Sequence, residues 1–442
     1  MSYWVHSTNE RLSMDIFADN FKMDPYWWEK SPRPTFTSCN NIKSVDVAVV
    51  GSGYTGLCSA IVLARAGRSV VVFDSEDAGW GCSTRNGGQI STSIKPQYKS
   101  LIAKYGKNIA FRIVKEGHNS LAWIKEFVAR EKLDCSFQVP GRFHAAHNQK
   151  QFDNLMQQAA NQPEGLEVPS RVIPRKDQEN EVGTDIYYGG VVYDAHASLD
   201  PGRYHQELLR LAIKAGVTII PNCLVSEIKK YSGKFELDTT KGVYNSQDVV
   251  VATNGYTGKL TPWLSRRVIR IGSYMIATEA LNADLMNQLM PRDRVVSDTR
   301  KVVYYYRPSP DRTRIIFGGR VTSGESHPKK SGELLRKDLV KIFPQLDGMK
   351  ITHSWMGYVA YTFDELPHIG NHEGLYYAMG CCGSGVGMAS YLGTRMGHKV
   401  LGLSGGGTGL DDIQFKSRPF YNGNPWFLPA SVAYYRWRDG IG

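Results

Sequence analysis

The sequence predicts an α/β protein in which a domain built on an antiparallel sheet is inserted into a domain built on a parallel sheet. Apolar strand patterns alternate with helical patterns from residue 45 to about residue 75 and again after residue 374. Between residues 269 and 320, three strand patterns follow one another without a helix. At 442 residues the chain is also too long for one hydrophobic core of the usual size, so two domains, or one large domain with an insertion, are expected.

The composition is that of a folded globular protein. The chain has 42% hydrophobic and 21% charged residues, which excludes disordered, collagen-like and coiled-coil proteins. Lys and Arg outnumber Asp and Glu by 53 to 42, but the excess is spread over short groups such as Arg266-Arg267 and Lys329-Lys330. No nucleic-acid-binding motif accompanies them. A solvated basic surface is therefore predicted, and nucleic acid is not a predicted partner.

The cysteines and the apolar runs predict a cytoplasmic protein. Seven cysteines without regular spacing favour reduced thiols over a disulfide framework. Cys381 and Cys382 are adjacent, which is not the spacing of zinc ligands, so no metal site is predicted. The sequence opens without a leader pattern, and no apolar stretch approaches the roughly 18 residues that a membrane helix needs. No membrane span is expected, and the oligomeric state stays open.

Residues 1–44 are polar and aromatic and show neither strand nor helix periodicity. We predict an extension that lies over a domain surface. Within it, Tyr26, Trp27 and Trp28 are interpreted as packing anchors rather than as a platform for a ligand.

The first structured unit begins at residue 45. Residues 45–50 have the pattern of a buried strand, a glycine turn follows, residues 57–67 have a helical pattern, and a second strand at 69–74 ends in Asp74. This order is the first unit of a Rossmann-type dinucleotide-binding domain. The cofactor-binding residues predicted from it are Gly51, Ser52, Gly53, Tyr54, Thr55, Gly56, Asp74 and Ser75.

Each glycine of the turn has a physical role in this interpretation. Gly51 permits the tight turn, Gly53 lets the backbone approach a pyrophosphate, and Gly56 allows close packing of the helix. The helix N-terminus offers free N–H groups to phosphates, and Asp74 accepts hydrogen bonds from ribose hydroxyls. The alternative is a purely structural glycine turn in another α/β protein.

The segment at residues 79–90 favours FAD over NAD. It is rich in glycine and small polar residues and carries an Arg, whereas a nicotinamide-binding fold usually continues with a strand and a helix. The alternative is a plain connecting loop. The predicted flavin-binding residues here are Gly81, Ser83, Arg85, Asn86, Gly87, Gly88 and Gln89.

Further elements complete the expected FAD domain. A helix is predicted from about 107 to 132, and another opens at Asp200, which serves as its cap. A strand at 248–252 ends in a second glycine turn, and a strand at 374–380 leads into a third glycine turn before a helix at 386–401. The helix N-terminus at the third turn would face the N1–C2=O edge of a flavin. The cofactor-binding residues predicted from these elements are Val225, Thr253, Asn254, Gly255, Gly383, Ser384, Gly385, Val386 and Gly387.

Antiparallel strands are predicted at 273–278, 302–307 and 314–319. The resulting division of the chain is an extension at 1–44, an FAD-binding domain at 45–120, 185–265 and 355–403, a substrate domain at 121–184 and 266–354, and a C-terminal tail at 404–442.

Taken together, these motifs resemble those of the D-amino-acid oxidase and glycine oxidase superfamily of FAD enzymes, which includes monomeric sarcosine oxidase. Within it, the chain is most similar to the gamma-glutamylputrescine oxidoreductase branch. The resemblance rests on GSGYTG at 51–56, STRNGGQ at 83–89, LDPGRY at 199–204, VVVATNGYT at 249–257, SYMIATE at 273–279, YYRPSPD at 305–311, FGGR at 317–320, WMGYVAYTFDELPHIG at 355–370 and GCCGSGVGMASYLG at 380–393.

The resemblance implies oxidation of a C–N bond. A hydride would leave the carbon next to an uncharged amine for flavin N5, and the imine would be hydrolysed by water. Oxygen would reoxidise the flavin and give hydrogen peroxide. The implied partners are thus FAD, a small-molecule amine and oxygen.

Two departures from relatives bear on substrate and cofactor. Amino-acid-oxidising relatives carry an Arg that clamps the substrate carboxylate in the segment matching 355–370, and this chain has none there. A simple α-amino acid is therefore disfavoured, although Arg307 or Arg320 could replace the clamp or could be structural. The Cys that binds flavin covalently in sarcosine oxidase is matched by a position near Gly357, so noncovalent FAD is predicted.

The remaining candidates are residues expected to contact the substrate. Tyr358, Trp355 and Tyr305 are expected to line the pocket, because aromatic walls exclude water and favour a neutral amine. His368 is a candidate proton acceptor or a packing histidine. Glu279 could attract an ammonium group or cap a strand.

Three functions remain open from the sequence. The first is an FAD amine oxidase that acts on an N-substituted amino acid or a gamma-glutamylated amine and uses oxygen. The second is an amine dehydrogenase that passes electrons to a quinone or a carrier protein. The third is a flavin-binding subunit without catalytic activity of its own.

Overall fold

The computed structural model describes residues 16–36, 43–322 and 326–440. These residues form two large sheets with helices packed against them. The strands are β1 (Phe17–Lys22), β2 (Ser44–Val50), β3 (Val70–Phe73), β4 (Gln89–Ile90), β5 (Arg142–Ala145), β6 (Ser170–Pro174), β7 (Gly189–Tyr193), β8 (Ala197–Ser198), β9 (Thr218–Ile220), β10 (Val225–Tyr231), β11 (Lys234–Thr239), β12 (Gly242–Val251), β13 (Val268–Thr278), β14 (Val295–Asp298), β15 (Tyr305–Pro308), β16 (Ile315–Thr322), β17 (Ile351–Thr362), β18 (His368–His372) and β19 (Leu375–Met379). The helices are α1 (Tyr54–Arg65), α2 (Tyr98–Tyr105), α3 (Lys107–Arg130), α4 (Gln149–Ala160), α5 (Pro201–Lys214), α6 (Pro262–Ser265), α7 (Ala283–Leu289), α8 (Pro328–Ile342), α9 (Gly385–Val400) and α10 (Leu428–Arg438).

The eight-stranded sheet contains the predicted nucleotide unit. Its order is β10-β11-β12-β2-β3-β9, with β19 beside β12 and β18 beside β19. The pairs β12–β2, β2–β3, β3–β9 and β12–β19 are parallel. Val47 and Val49 pack in one apolar cluster and Ala48 in another, so β2 is buried on both faces. This explains why its sequence is a continuous apolar run without alternation.

The nine-stranded sheet has the order β1-β17-β13-β16-β15-β14-β5-β7-β6. One face packs against α7 and α8 in a core that contains Phe143, Tyr306 and Phe317. We call the opposite face, which carries Arg142, His144, Tyr305 and Trp355, the inner face. The two faces alternate along each strand, as the pleat of a sheet requires. The two sheets together confirm the predicted α/β fold class.

The structure differs from the sequence expectation in the N-terminal extension. Part of the extension predicted to lack regular structure forms β1, which pairs in parallel with β17. The strand gives no period-2 signal because its two faces, at the edge of the sheet, are both partly exposed. The tail after residue 404 includes α10.

The sheets also cross the predicted domain division. β7 and residues 355–362 of β17 pair within the nine-stranded sheet, although the division at 185 and 355 assigns them to the FAD-binding domain. Strand pairing is decided by partners distant in the chain, so local pattern did not locate these boundaries.

Among the described residues, no helix combines the length and the apolar character that crossing a membrane requires.

Two helices that cover the parallel sheet, α1 and α9, approach each other closely through glycine. A Cβ on Gly393 would lie 2.5 Å from Thr55 O and 3.0 Å from Cys58 Cβ, and a Cβ on Gly397 would lie 2.7 Å from Val62 Cβ. The absence of side chains at these two positions lets the backbones of α1 and α9 meet. The contact joins the first and the third glycine turn, since α1 follows one and α9 follows the other.

We therefore expect Gly393→Ala to destabilise the protein. Replacing Gly by Ala inside a helix gains up to about 1 kcal/mol of helix propensity. The new Cβ must push against backbone atoms, however, and overpacking of this kind costs about 1–3 kcal/mol, so the loss should prevail. Thermal unfolding followed by circular dichroism measures the change. Gly258→Ala, where a Cβ meets no atom within 4 Å, is the control, and equal melting temperatures for both variants would contradict the close contact.

Candidate active site

The first glycine turn lies between the end of β2 and the start of α1. Gly51 has a φ of +105°, and a Cβ there would come within 2.8 Å of Ala252 O, so the position requires glycine. A Cβ on Gly56 would overlap Gly51 O. Gly53 precedes α1 as its N-cap and offers no capping side chain. The N-terminus of α1 thus presents backbone N–H groups and the positive end of its dipole, which together bind phosphate.

The two side chains that follow this turn are used for packing. The Tyr54 ring lies 5.1 Å from the ring of Tyr204. Thr55 Oγ1 donates a hydrogen bond to Ala389 O at 3.1 Å, in α9. Both predicted cofactor contacts at these positions can therefore come only from the backbone.

Asp74 follows β3 at the carboxyl edge of the parallel sheet, beside the turn. Ser52 donates to Asp74 Oδ2 from its backbone N at 2.9 Å and from Oγ at 2.5 Å, and Glu76 N donates to Oδ1 at 3.1 Å. Burial raises the pKa of the Asp74 carboxyl, and the hydrogen bonds from Ser52 oppose this rise. The carboxylate retains acceptor capacity for a ribose hydroxyl. Ser75 is exposed next to it.

Val225 starts β10 near the same edge and is buried. Two residues earlier, Cys223 N donates to Asp74 O at 2.7 Å, which brings this segment beside the acid.

The loop at residues 79–89, which we call the flavin loop, is held by its own side chains. Asn86 Nδ2 donates to Cys82 O at 3.1 Å and to Ser83 O at 3.0 Å, and Asn86 Oδ1 accepts from Gly88 N at 2.8 Å. Ser83 Oγ accepts from Tyr54 N at 3.0 Å, so the loop contacts the first turn of α1. Gly81 packs against the ring of Tyr256, and a Cβ on Gly81 would lie 3.2 Å from that ring. Gln89 begins β4, which pairs with β8.

Arg85 connects this loop to the nine-stranded sheet. Its guanidinium lies 4.3 Å from the Trp80 ring and 4.8 Å from the Trp28 ring, and it donates to Trp80 O at 2.6 Å and to Met356 O at 3.2 Å. Gly357, next in β17, leaves room for it, because a Cβ there would lie 3.1 Å from Arg85 Cβ.

Residues 25–33, which we call the N-terminal strap, cover the outer side of the flavin loop. Trp27 Nε1 donates to Asn86 O at 2.8 Å, and Trp28 Nε1 donates to Thr84 Oγ1 at 2.9 Å. Arg33 Nη1 donates to Gly79 O at 3.0 Å. The sequence indicated aromatic anchors here but not their target, since the contacts span more than 40 residues of chain.

Two of the predicted aromatic residues share the inner face. Trp355 is fully buried, and its Nε1 donates to Arg85 O at 2.9 Å. The Tyr305 ring packs against Gly87 and would lie 3.1 Å from a Cβ at that position. The Tyr305 hydroxyl shares a hydrogen bond of 3.1 Å with Ser273 Oγ. Burial raises the pKa of Tyr305 to about 12, so the hydroxyl keeps its proton at physiological pH.

Tyr358 lies apart from this pair. It follows Trp355 by three residues in β17, so its side chain is on the opposite face of the strand. Its ring lies 5.5 Å from the ring of Tyr256 and 5.0 Å from the Arg270 guanidinium. Tyr358 O also approaches Gly255, where a Cβ would come within 2.7 Å. The structure therefore places Tyr358 beside the second glycine turn rather than with Tyr305.

The two candidate arginines differ in what the structure describes. Arg307 is buried and donates to Leu199 O at 2.9 Å, Pro308 O at 3.1 Å and Gly88 O at 3.4 Å. Burial lowers the pKa of Arg307 to about 10. Its donors are thus directed to backbone carbonyls around the flavin loop. Arg320 belongs to β16, but its side chain lies outside the described part of the structure.

His368 and Glu279 are engaged within the protein. His368 is buried, forms a 3.1 Å contact from Nε2 to Asp364 Oδ1, and stacks on Phe415 of the tail with ring centroids 4.1 Å apart. Glu279 follows β13 and accepts from Lys350 N at 2.7 Å. The structure brings neither of them to the flavin loop.

The second and third glycine turns lie together. Gly380 N donates to Asn254 Oδ1 at 3.0 Å, and Thr253 Oγ1 shares a 2.7 Å hydrogen bond with Thr257 Oγ1. Burial raises the pKa of both Cys381 and Cys382 to about 12, which makes them unreactive thiols.

The third turn leaves backbone open for a ligand. Gly383 is exposed, with a φ of +97°, and Gly385 has no atom within 4 Å of the position of a Cβ. Ser384 Oγ donates to Ser93 O at 3.0 Å, and Gly387 packs against Ile90, which follows the flavin loop. Val386, between Gly385 and Gly387 in the first turn of α9, is buried. Together with the N-terminus of α1 and the Asp74 carboxylate, this open cradle fits a flavin dinucleotide.

The inner face carries two residues that the sequence analysis did not single out, Arg142 and His144 of β5. Arg142 Nη1 donates to Ser93 Oγ at 3.1 Å, and His144 Nδ1 lies 3.0 Å from Ser297 O. Their alternation with the buried Phe143 and Ala145 was the available signal. In the described residues, no group of three His, Cys, Asp or Glu side chains is placed to hold a metal ion.

Comparison with known proteins gives consistent results. A family model described as FAD dependent oxidoreductase, DAO, matches residues 46–398. The gamma-glutamylputrescine oxidoreductase of Escherichia coli (strain K12) is 32% identical over 420 residues, which cover 92% of this chain and 96% of that protein. A probable oxidoreductase, OrdL, of Rhizobium meliloti (strain 1021) is 29% identical over 423 residues, with 93% and 97% covered. The crystal structure of glycine oxidase from Geobacillus kaustophilus has the same fold, with a TM-score of 0.72 at 19% identity over 85% of this chain and 99% of that chain.

The contacts of the strap predict that a mutation outside the glycine turns weakens the binding of FAD. Trp28→Ala removes the hydrogen bond to Thr84 and the ring contacts with Arg33 and Arg85, which lie 5.2 and 4.8 Å from the ring. We expect FAD to bind about tenfold more weakly, because a hydrogen bond and two cation–π contacts of about 0.5–1 kcal/mol each stabilise the loop. Recovery of flavin fluorescence on dilution measures the affinity. Trp437→Ala, at an exposed tryptophan of α10, is the control, and equal affinity in both variants would contradict the role of the strap.

The environment of Cys82 predicts the mode of flavin attachment. Cys82 Sγ lies 3.5 Å from the position of a Cβ on Gly357, and burial raises the pKa of this thiol to about 11. A protonated thiol is a poor nucleophile, so we expect FAD to bind without a covalent bond. Acid precipitation should leave all flavin absorbance in the supernatant. Flavin fluorescence that stays on the denatured chain and disappears in Cys82→Ser would overturn this expectation.

Proposed function

Because the chain belongs to the DAO family of FAD-dependent oxidoreductases, we propose that it oxidises the C–N bond of a primary or secondary amine. The substrate class is an N-substituted amino acid or a gamma-glutamylated amine, and oxygen is the electron acceptor. The observation that carries the proposal is the aromatic inner face, where Tyr305 and Trp355 pack directly on the flavin loop. The 32% identity to a gamma-glutamylputrescine oxidoreductase supports the choice of amine.

When bound, FAD supplies the acceptor for a hydride from the carbon next to the amine nitrogen. The protein has to hold that carbon in place and to keep the amine uncharged. The Tyr305 ring and the buried Trp355 exclude water from the inner face, and removing water disfavours an ammonium ion. The Tyr305 hydroxyl, which stays protonated, is positioned with Ser273 to hydrogen-bond the amine nitrogen.

The remaining chemistry requires little from the protein. Water hydrolyses the imine product to a carbonyl compound and an amine, and transfer of two electrons to oxygen gives hydrogen peroxide. No general acid–base pair is needed, which agrees with His368 and Glu279 being engaged elsewhere. In this proposal Arg307 is a positioning residue for the flavin loop and not a carboxylate clamp.

The sequence leaves two alternatives to the oxidase. A dehydrogenase that passes electrons to a quinone or a carrier would share every feature of the site described above, and only the acceptor differs. A non-catalytic flavin-binding subunit is disfavoured because the match to an oxidoreductase family covers most of the chain. A cytoplasmic location belongs to the proposal and is supported by the six free cysteines of the described residues.

The decisive experiment is an anaerobic absorbance titration of the purified holoenzyme. Gamma-glutamylputrescine, N-methyl amino acids, D-amino acids and simple amines are added under nitrogen, and bleaching of the flavin is recorded. Bleaching by an amine, followed by oxygen uptake with formation of hydrogen peroxide, supports the oxidase. Bleaching without oxygen uptake would favour the dehydrogenase, and no bleaching with any compound would overturn the proposed reaction.

Tyr305→Phe tests the role of the inner face. The ring that packs on Gly87 and Gly318 is retained, so we expect normal folding and normal FAD content. Loss of the hydroxyl should slow flavin reduction by about ten- to a hundredfold, since one hydrogen bond to a polar substrate group is worth about 1–3 kcal/mol. Stopped-flow reduction under nitrogen gives the rate constant. Tyr434→Phe, at an exposed tyrosine of α10, should reduce at the normal rate, and a normal rate in Tyr305→Phe would exclude the proposed contact.

A further inference from the structure

Two cations of the site have no acidic partner. Arg142 lies on the inner face of β5, and Lys95 follows the flavin loop by six residues. In the described part of the chain, neither forms an ion pair with Asp or Glu. Other cations near the ends of strands do form ion pairs, for example Arg68 with Asp248 and Arg294 with Glu181. This contrast makes the two cations candidates for binding a ligand.

Arg142 is only partly satisfied by the protein. Its Nη1 donates to Ser93 Oγ at 3.1 Å, and its guanidinium lies 5.4 Å from the Tyr193 ring. Its Nε is buried and has no hydrogen-bond partner among the residues that the structure describes. Burial lowers the pKa of Arg142, and no carboxylate offsets that effect. A guanidinium remains charged in proteins, so this half-buried cation keeps its charge with no carboxylate beside it among the described residues.

Lys95 is exposed and lies beside the third glycine turn. Its Nζ is 5.8 Å from the Tyr361 ring, and its Cε is 4.0 Å from the position of a Cβ on Gly383, in the third glycine turn. The Tyr361 hydroxyl has the largest effect on the pKa of Lys95 and raises it, while the exposed Glu365 contributes less. The ammonium is therefore charged at neutral pH.

Ser93 connects the segments that carry the two cations, and both cations act on the pKa of His144. Ser93 Oγ accepts from Arg142, and Ser93 O accepts from Ser384 Oγ at 3.0 Å at the start of α9. Lys95 follows Ser93 by two residues. Both cations thus flank one short segment between the third glycine turn and the inner face, next to the place proposed for the amine.

The histidine on the same face adds no charge. His144 Nδ1 donates to Ser297 O at 3.0 Å, because a carbonyl can only accept. Burial, reinforced by the charges of Arg142 and Lys95, lowers the pKa of His144 to about 3. The group therefore carries two positive charges, from an arginine and a lysine, and no negative one.

We propose that Arg142 and Lys95 bind a carboxylate of the substrate. This inference rests on the proposed amine oxidation. The substrate is then an amine that carries a carboxylate away from the C–N bond that is oxidised. The guanidinium supplies a directional fork and the ammonium a point charge, a pair of donors suited to one carboxylate. The inference explains how the chain selects a carboxylate-bearing amine without an arginine in residues 355–370.

Glutarate tests the carboxylate site without any turnover. It is added to the holoenzyme, and the change in flavin absorbance is recorded against concentration, with glutaramide as the uncharged compound of the same length. We expect saturable binding of glutarate, and at least about tenfold weaker binding in Lys95→Met and in Arg142→Met, because each loses a charge-assisted hydrogen bond. Lys99→Met, at an exposed lysine of α2, is the control and should bind glutarate as the unmodified chain does.

The side chain of Lys95 is exposed, so Lys95→Met keeps the test valid even if Arg142→Met fails to fold. Arg142→Lys, which retains the charge but not the fork, should weaken glutarate binding less than Arg142→Met does. Equal glutarate affinity in all variants would overturn the proposal. A loss of FAD affinity in Lys95→Met, with unchanged glutarate binding in the remaining holoenzyme, would also overturn it and would assign Lys95 to the flavin.

A substrate pair provides a second readout. Gamma-glutamylputrescine and N-acetylputrescine present the same amine, but only the first carries a carboxylate. The ratio of their half-saturating concentrations in anaerobic flavin reduction should shift against gamma-glutamylputrescine by at least about tenfold in both methionine variants. An unchanged ratio would contradict the carboxylate site. If no amine reduces the flavin of the unmodified chain, the proposed reaction fails, and the glutarate titration still decides the anion site.

Discussion

The position of the flavin loop is the constraint on which the rest of the site depends. The loop is held from outside by the tryptophans of the N-terminal strap and from inside by Tyr305 and Trp355 of the nine-stranded sheet. Arg85 stacks between Trp28 and Trp80 and donates to Met356 O, so one side chain contacts all three parts. Because the loop belongs to the nucleotide-binding unit, these contacts also fix the inner face relative to the parallel sheet.

Glycine is used where backbones must meet. Gly56 lets α1 sit directly on the first turn, Gly393 and Gly397 let α9 approach α1, and Gly87 receives the ring of Tyr305. The three glycine turns thereby converge on one side of the parallel sheet. The N-termini of α1 and α9 point into the same region, which suits a cofactor with a pyrophosphate and a ring that becomes negative on reduction.

Charge is distributed unevenly around this region. The polar groups near the first turn include the Asp74 carboxylate, whereas the inner face and the segment after the flavin loop carry Arg142 and Lys95, which form no ion pair within the described ranges of the chain. A site with a neutral aromatic wall and a separate cationic group can distinguish two ends of one substrate. The neutral wall favours an uncharged amine, and the cations attract an anionic group at a distance from it.

The sequence by itself determined the nucleotide unit, the helix caps and the fold class. These features depend on local spacing: the glycine turn at 51–56, the run of apolar residues in β2 and the cap at Asp200 are all encoded within a few residues. The residues of the turns were predicted for the same reason. Asn254 and Gly383, for example, lie in segments whose glycine content marks a turn.

Only the tertiary structure decided which side chains meet. The target of the strap, the pairing of β1 with β17 and the placement of Arg142 next to Ser93 join residues that are far apart in the chain, and no local period encodes such contacts. The separation of Tyr358 from Tyr305 depends on which face of β17 turns inward. The packing of the whole sheet on α7 and α8 decides this orientation. Successive side chains of a strand point to opposite faces of the sheet, and burial determines which face is turned to the core.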